Sequence, residues 1–341
     1  MNVVELTRAL VDIESISDNE GAVGAYLHDY LSKLAASTGG RVERMDVEPG
    51  RFNALATWGQ PVVTLSTHMD TVPPFFASRE DAEFVWGRGA CDAKGIIAAM
   101  IAAAEKLLAT GIKDFALLFV VGEERNSAGA AVAARSGRGS KYLVNGEPTE
   151  SKLALASKGV LRYEVVAHGK MAHSAYPELG KSAIEALLDA LEAIRHVPLP
   201  KDVLLGPSTM NIGTISGGRA PNVIADAAKA EILVRLVGDA APIRESFSRA
   251  VGSRAELNEV LCIPPIYFES IDGMPTTVVS FTTDVPVFGR TWGEPLLVGP
   301  GSIHVAHTAE ERISKRELGE AVQMYVDVVK NLLSKGREGR G

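Results

Sequence analysis

The chain has 341 residues, of which 46% are hydrophobic and 23% are charged, as in ordinary globular proteins. This length is more than one hydrophobic core usually serves, so we expect two domains. The formal net charge of −7 argues against a nucleic-acid or anionic-membrane partner, because both need a basic face.

The first part of the chain alternates helical and strand-like patterns. Apolar residues at three- and four-residue spacing predict helices at 4–13, 19–36 and 94–108, and 127–134 is a further helical segment. Alternating or continuous apolar runs predict strands at 41–47, 54–58, 62–67, 115–121 and 142–145, with a Pro- and Gly-marked loop at 71–89. This alternation predicts an α/β domain with a mostly parallel sheet and helices on both faces.

The pattern changes near Ser157. Strands are predicted at 161–167, 209–215, 227–237 and 257–263, and helices at 182–195 and 241–251. The order β-α-β-β-α-β is that of a ferredoxin-like sandwich. The chain then returns to short strands at 277–281 and 296–298 and a closing helix at 315–333. We therefore predict a domain of residues 158–269 inserted into a domain formed by residues 1–157 and 270–341.

The number of cysteines and the N-terminal sequence indicate the cellular compartment in which we expect the protein. Two cysteines, Cys91 and Cys262, are too few for a disulfide scaffold or a thiolate zinc site and suit a reducing compartment. The N-terminal sequence MNVVELTRAL lacks the basic region of a signal peptide, and the apolar run IIAAMIAAA is too short to span a bilayer. We expect a cytoplasmic protein.

Imidazole and carboxylate side chains lie at or just past strand ends of the first predicted domain, or in glycine-rich loops. Open α/β sheets place their binding crevice at this edge. Alone, each side chain has a plain structural interpretation as a solvated or locally hydrogen-bonded group. Their joint occurrence at one edge predicts a metal site, and the residues concerned are His68, Asp92, Glu123, Glu124, Glu147 and His307.

Nitrogen and carboxylate ligands without cysteine favour zinc, with cobalt or manganese as alternatives. A bridging carboxylate can hold two such ions about 3.5–4 Å apart. Asp92 is the natural bridge, because its glycine-bracketed loop GRGACDAKG permits unusual backbone angles. Asp70 lies two residues after His68, on the same side of an extended segment, so we expect it to accept the second ring N–H of that histidine.

Six ordered segments, STHMDTVPP, GRGACDAKG, VVGEERNSAG, NGEPTE, GKMAHSA and AHTAEE, resemble the motif series of the M20 metallohydrolases. The similar branch is that of acetylornithine deacetylase and succinyl-diaminopimelate desuccinylase. The resemblance covers nearly the whole chain and implies a dinuclear-zinc exopeptidase-like fold whose inserted domain mediates dimerisation. It implies that His68 and Glu147 bind one metal, that Glu124 and His307 bind a second, and that Asp92 bridges both.

The same resemblance implies Glu123 as the catalytic base and His173 as a histidine that reaches the partner subunit's active site and hydrogen-bonds the substrate carbonyl. Asn222 and Arg235 resemble residues that hold substrate, Arg235 by gripping a carboxylate. Asn222 also suits a plain turn, and Arg235 a solvent-facing strand position. Leu233 stands where the family often has Asp, which concerns the carboxylate clamp and not the metal ligands.

We therefore predict a homodimeric, dinuclear metal-dependent amidohydrolase of amino-acid biosynthesis that deacylates an N-acyl amino acid, as an N-acetylornithine-like deacetylase would. A hydrolase that releases lysine or ornithine from an amino-group carrier protein, or a dipeptidase or carboxypeptidase acting on short peptides, would use the same metal centre. A non-catalytic metal-dependent binding module would not need Glu123 beside the metals. A cysteine hydrolase built on Cys91, His68 and Asp70 would leave the glutamates without a role.

Overall fold

The computed structural model describes residues 1–338, and the chain divides into two compact units. The first unit comprises Met1–Leu155, Phe268–Thr277 and Thr283–Gly341, and the second comprises Ala156–Tyr267 and Val278–Thr282. The last three residues of the predicted outer domain lie outside the described residues. No helix within residues 1–338 combines the length and the apolar composition needed to cross a membrane.

The elements follow one another along the chain in three groups. The first group is α1 (Val3–Val11), α2 (Gly21–Thr38), β1 (Arg41–Glu48), β2 (Arg51–Trp58), β3 (Val63–His68), β4 (Arg79–Glu80), β5 (Phe84–Trp86), α3 (Lys94–Ala109), β6 (Phe115–Val120), α4 (Ala128–Ala133) and β7 (Tyr142–Asn145). The second is β8 (Leu153–Ser157), β9 (Gly159–His168), a 3₁₀ turn (Pro177–Leu179), α5 (Ala183–Arg195), β10 (Lys201–Asp202), β11 (Gly206–Pro207), β12 (Thr209–Gly217), β13 (Ala227–Leu236), α6 (Ala241–Val251), β14 (Glu256–Ile263) and β15 (Ile266–Tyr267). The third is β16 (Thr276–Val279), α7 (Val285–Phe288), β17 (Glu294–Leu297), β18 (Arg312–Ser314) and α8 (Lys315–Glu338).

A six-stranded sheet in the order β1-β2-β6-β3-β7-β17 forms the centre of the first unit. Strands β6, β3, β7 and β17 pair in parallel, whereas β2 is antiparallel to both β1 and β6. The antiparallel edge arises because only two residues connect β1 to β2, and so short a loop can join only antiparallel strands. The predicted mostly parallel sheet is confirmed, with this hairpin as its exception.

The central strand β6 shows why helices cover both faces of the sheet. All six of its residues are buried. Phe115, Leu117 and Phe119 pack into one core with α1, α2, α3 and α8, whereas the intervening Ala116 and Leu118 pack into a second core with α4 and α7. Successive side chains of a strand point to opposite faces, so a continuous apolar run requires a cover on each side.

The second unit contains an antiparallel sheet in the order β12-β13-β9-β14, with α5 and α6 packed against it. The chain order β9-α5-β12-β13-α6-β14 is the predicted ferredoxin-like β-α-β-β-α-β arrangement, which is confirmed. Alternate residues of β13, among them Ile232 and Val234, are buried with Leu187 of α5 and Phe247 of α6.

The predicted loop at 71–89 contains two short strands, β4 and β5, that the sequence pattern did not indicate. Two- and three-residue strands are too short to show a periodicity. Strand β5 also pairs with β18, which lies more than 220 residues further along the chain. This long-range pairing fixes the segment that precedes Asp92 to the segment that follows His307.

Candidate metal centre

Three adjacent parallel strands bring the predicted side chains to one edge of the sheet. Strand β3 lies between β6 and β7 and is parallel to both, so their C-terminal ends meet at the same edge. His68 is the last residue of β3, Glu123 and Glu124 follow β6, and Glu147 lies two residues past β7. Asp92 precedes α3 and comes to the same place.

Asp92 lies between the two histidines. Its Oδ1 is 3.0 Å from Nε2 of His68, and its Oδ2 is 3.3 Å from Nε2 of His307. The Nε2 atom of His307 is also 2.9 Å from Oε1 of Glu124. Donor atoms of His68, Asp92 and Glu124 all lie within 4.8 Å of one another. Each oxygen of one carboxylate thus faces a different imidazole, which is the arrangement that a carboxylate bridging two metal ions needs.

Asp70 adjoins the Nδ1 atom of His68 with both its backbone carbonyl and its carboxylate. The Nδ1 atom of His68 is 3.0 Å from the backbone carbonyl oxygen of Asp70 and 3.5 Å from its carboxylate Oδ1. A carbonyl oxygen only accepts, so Nδ1 carries a proton and Nε2 is the nitrogen that faces Asp92. The ring N–H is therefore oriented mainly by the backbone of Asp70.

The Asp70 carboxylate also holds the loop after β6 that carries Glu123 and Glu124, here called the Glu-Glu loop. Sequence patterns did not indicate this role. The carboxylate accepts the backbone N–H of Glu123 at Oδ1 (3.1 Å) and that of Glu124 at Oδ2 (3.2 Å). The Ser17 hydroxyl also donates to Oδ2, at 2.7 Å. Burial alone raises the pKa of Asp70, but the hydrogen bond and charge of His68, followed by the hydrogen bonds from Ser17 and the Glu124 N–H, lower it, so the carboxylate is charged.

Buried Asn53 in β2 spans the same loop at its two ends. Its Oδ1 accepts the N–H of Val121 (3.2 Å), and its Nδ2 donates to the carbonyl of Gly129 (2.8 Å). Between them, Gly122 has φ +79°, and a Cβ there would lie 3.2 Å from Nη2 of Arg51. Glycine therefore permits the sharp turn that presents the two glutamates.

The electrostatics of the cluster fit a pair of cations. Burial, reinforced by the charge of Glu147, raises the pKa of Glu123 well above its usual value, and burial likewise raises the pKa of Glu147. Hydrogen bonds to Asp92 and Glu124 raise the pKa of His307 to about 10. Several carboxylates so close together and largely removed from water need positive charge nearby to remain ionised, and metal cations can supply it. Imidazole and carboxylate donors without sulfur suit Zn²⁺, Co²⁺ or Mn²⁺.

Two of the three residues predicted for substrate contact adjoin one another in the second unit. His173 forms an isolated bridge with Val223, and the N–H of Ser174 donates to the carbonyl of Asn222 at 3.0 Å. His173 and Asn222 are both exposed. Arg235 lies apart, in β13, where it is half-buried and makes no ion pair with any residue that the structure describes. Burial lowers the pKa of its guanidinium.

The second unit also carries a known domain, since residues 155–254 match the peptidase dimerisation domain of the M20 type. A peptidase M20 domain-containing protein of Schizosaccharomyces pombe is 38% identical over 338 residues, which cover 96% of this chain and 84% of that protein. The chain belongs to the M20 peptidase family.

Two further proteins show the extent of the similarity. A probable carboxypeptidase of Aspergillus flavus is 38% identical over 364 residues, which cover 93% of this chain and 87% of that protein. The crystal structure of an M20 family metallo-carboxypeptidase from Sulfolobus solfataricus superposes with a TM-score of 0.77 at 16% identity, covering 97% and 99% of the two chains. The family, the fold class and the class of enzyme, a hydrolase of C–N bonds, are thereby confirmed.

One buried acid of this M20 peptidase was missed by the sequence patterns. Asp284 is 1% exposed, and neither of its oxygens meets a regular hydrogen-bond geometry among the described residues. Burial raises the pKa of Asp284 to about 7, Asp70 and Glu124 add to the effect, and the nearby Ser127 hydroxyl and His68 oppose it. Its charge acts on Glu123 and Glu147 of the candidate site, and a single aspartate between two short elements gives no sequence signal of such a place.

Two other side chains near the centre have no catalytic geometry. Cys91 is fully buried, and burial together with the charge of Asp92 raises the pKa of its thiol well above the usual range. A thiol in that state is a poor nucleophile, which disfavours the alternative cysteine hydrolase. His304 is exposed, whereas His307 faces Asp92 and Glu124. His307 also adopts φ +63°, an unusual conformation for a non-glycine residue that is common at functional sites.

Proposed function

We propose that this M20 peptidase is a dinuclear metal-dependent amidohydrolase that cleaves an amide bond next to a free carboxylate and so releases an amino acid. The observation that carries the proposal is the position of Asp92, whose two oxygens face two different histidines. When bound, two divalent ions supply the Lewis acidity that makes water nucleophilic near neutral pH and polarises a carbonyl. Zinc is the proposed metal, with cobalt or manganese as alternatives.

The proposed ligand sets are those that the resemblance to M20 metallohydrolases implies, and contacts between side chains support them. His68 and Glu147 are proposed to hold one ion; His68 faces Oδ1 of Asp92, and its charge acts on the Glu147 carboxylate. Glu124 and His307 hold the other, because their donor atoms are 2.9 Å apart on the Oδ2 side. The hydrogen bond from Nδ1 of His68 to the Asp70 carbonyl keeps its Nε2 directed at the site.

Glu123 is the proposed general base. It is adjacent to the proposed ligand Glu124, its carboxylate forms no hydrogen bond with a histidine within residues 1–338, and its backbone N–H is held by Asp70. A Glu123 carboxylate oxygen takes a proton from the attacking water and then delivers that proton to the departing amine nitrogen. The two transfers balance, since the water contributes its hydroxyl to the acyl product and its proton to the amine.

The proposed substrate is defined by its carboxylate. N-acyl amino acids and the C-terminal ends of short peptides share one group, an acyl–NH–CHR–COO⁻ unit. Half-buried Arg235, without an ion-pair partner among the described residues, suits that carboxylate. The sequence motifs favour the N-acetylornithine-like deacetylase, whereas the 38%-identical probable carboxypeptidase of Aspergillus flavus favours peptides.

The proposal includes a cytoplasmic homodimer in which His173 of each subunit stabilises the carbonyl oxygen in the partner's site, with Asn222 beside it. The family match of residues 155–254 to a dimerisation domain supports this assembly. Mixing His173→Ala with Glu123→Gln subunits tests it, because each mixed dimer then contains one site with both residues intact. Partial recovery of activity supports the exchange of His173 between subunits, and no recovery in verified heterodimers contradicts it.

The direct test of function is a substrate panel on protein reconstituted with Zn²⁺, Co²⁺ or Mn²⁺. The panel contains N-acetyl amino acids, N-succinyl amino acids and dipeptides, each as the free acid and as the C-terminal amide, together with a carrier protein loaded with lysine or ornithine. We expect metal-dependent hydrolysis of free acids only. Equal hydrolysis of the C-terminal amides would contradict the carboxylate requirement, and the ratio of N-acetyl to dipeptide turnover distinguishes deacetylase from carboxypeptidase.

A further inference from the structure

Glu311 lies four residues after His307, and its carboxylate is seated beneath the loop that carries Asp92. Its Oε1 accepts three backbone N–H groups, from Gly89 at 2.9 Å, Cys91 at 3.3 Å and Asp92 at 3.1 Å. The side chain is 1% exposed. A single oxygen thus accepts three backbone N–H groups of this loop, including that of Asp92, the proposed bridging residue.

The other carboxylate oxygen of Glu311 binds Arg88, and Arg88 in turn contacts the segment that contains Pro74 and Phe76. Oε2 accepts from Nη1 of Arg88 at 2.5 Å, and this guanidinium is itself only 2% exposed. Arg88 also donates from Nε to the carbonyl of Pro74 at 3.2 Å and lies 5.3 Å from the ring centre of Phe76. Pro74 and Phe76 belong to the segment that follows His68 and Asp70.

The backbone supports the same connection. The N–H of Gly87 donates to the carbonyl of Glu311 at 3.1 Å, and β5 pairs with β18 directly beyond it. A buried ion pair adds little net stability by itself, because desolvation offsets the attraction. Here, however, the Arg88–Glu311 pair links the segments that bear His68, Asp92 and His307, and these are far apart along the chain. The pair therefore fixes the positions of these three segments relative to one another.

We infer that Glu311 and Arg88 are positioning residues of the metal centre: the Glu311 carboxylate fixes the Asp92 loop against His307, and Arg88 fixes it against the segment after His68. The inference rests on the proposed function only in taking metal binding as its readout. Gln at position 311 offers one accepting oxygen, so its NH₂ group must face either Arg88 or the three N–H groups. In the first case Arg88 loses its partner at position 311, and in the second the Asp92 loop loses its three hydrogen bonds.

Co²⁺ binding to the full-length metal-free protein tests the inference, with Glu310→Gln as the matched control. Glu310 is adjacent and exposed, and its carboxylate forms no ion pair with the described residues. We expect Glu311→Gln to bind Co²⁺ about 10–100-fold more weakly than the control, measured against a chromophoric chelator. We also expect a changed visible absorption spectrum at saturation, because the spectrum reports the ligand geometry of the bound ion.

Equal affinity and an unchanged spectrum in Glu311→Gln and Glu310→Gln would overturn the inference, even if the melting temperature fell, because the role of the pair would then be structural only. Should Glu311→Gln not fold, Arg88→Lys gives the same test, since lysine keeps the charge but lacks the two separate nitrogens with which Arg88 reaches Glu311 and Pro74. If the wild-type protein hydrolyses the panel and both variants bind Co²⁺ normally, only the inference is contradicted. If the wild-type protein binds no Co²⁺, both the proposed function and the inference are contradicted.

Discussion

Replacing Asp70 by asparagine separates the two tasks of this residue. The backbone carbonyl that accepts Nδ1 of His68 remains, whereas the carboxylate that holds the Glu-Glu loop is lost. Asparagine offers one accepting oxygen, so whichever way its amide turns, the N–H of either Glu123 or Glu124 meets an NH₂ group. Ser17 can adapt, because its hydroxyl either donates or accepts.

The cost follows from those contacts. One unsatisfied N–H costs about 1–2 kcal/mol at such a partly buried site, and the loss of charge from the remaining hydrogen bonds adds roughly 1 kcal/mol. The pKa of Asp70 is lowered, so folding favours its charged form and the neutral asparagine loses that contribution at neutral pH. We expect the free energy of unfolding to fall by about 2–3 kcal/mol and kcat to fall about 10–100-fold.

Denaturant unfolding followed by tryptophan fluorescence measures this change, because Trp58, Trp86 and Trp292 all lie in the first unit. The matched control is Asp46→Asn, in which an exposed carboxylate without a hydrogen bond to the described residues is replaced, and we expect it to stay within about 0.5 kcal/mol of wild type. If Asp70→Asn matches the control in both stability and kcat, the carboxylate does not hold the loop.

Three further predictions concern the reaction. Glu123→Gln keeps the metal content but lowers kcat about 10²–10⁴-fold, measured by metal analysis and steady-state kinetics, and near wild-type turnover would remove Glu123 as the base. Chelation abolishes activity and Zn²⁺, Co²⁺ or Mn²⁺ restores it; activity that survives complete metal removal would contradict the mechanism. Arg235→Met raises KM for free-acid substrates about tenfold or more, as expected for a lost charge-assisted hydrogen bond, whereas an unchanged KM would show that another group holds the carboxylate.

Much of the fold and of the candidate metal centre follows from short-range sequence patterns. A strand buried on both faces, such as β6, is a continuous apolar run, and its end is visible in the sequence as the first polar residues. Parallel pairing then brings strand ends together, which is why His68, Glu124 and Glu147 could be placed at one edge before the structure was known. The ferredoxin-like unit was equally accessible, because its strands alternate in burial.

The supporting residues could not be predicted, because their roles depend on contacts between distant segments. Asn53 acts on a loop nearly 70 residues away, and Glu311 acts on donors some 220 residues away. Asp284 precedes a four-residue helix and has no periodic neighbours that would indicate burial. The expected neighbour of His68 is Asp70, but sequence spacing cannot show that its backbone carbonyl lies nearer to Nδ1 (3.0 Å) than its carboxylate does (3.5 Å).

The central claim is that Asp92 bridges two cations held by His68 and His307. Anomalous diffraction from crystals of the Zn²⁺-loaded protein at the zinc absorption edge tests it most directly. We expect two peaks about 3.5–4 Å apart, one beside each oxygen of Asp92. A single peak, or a pair that does not contact Asp92, would contradict the account.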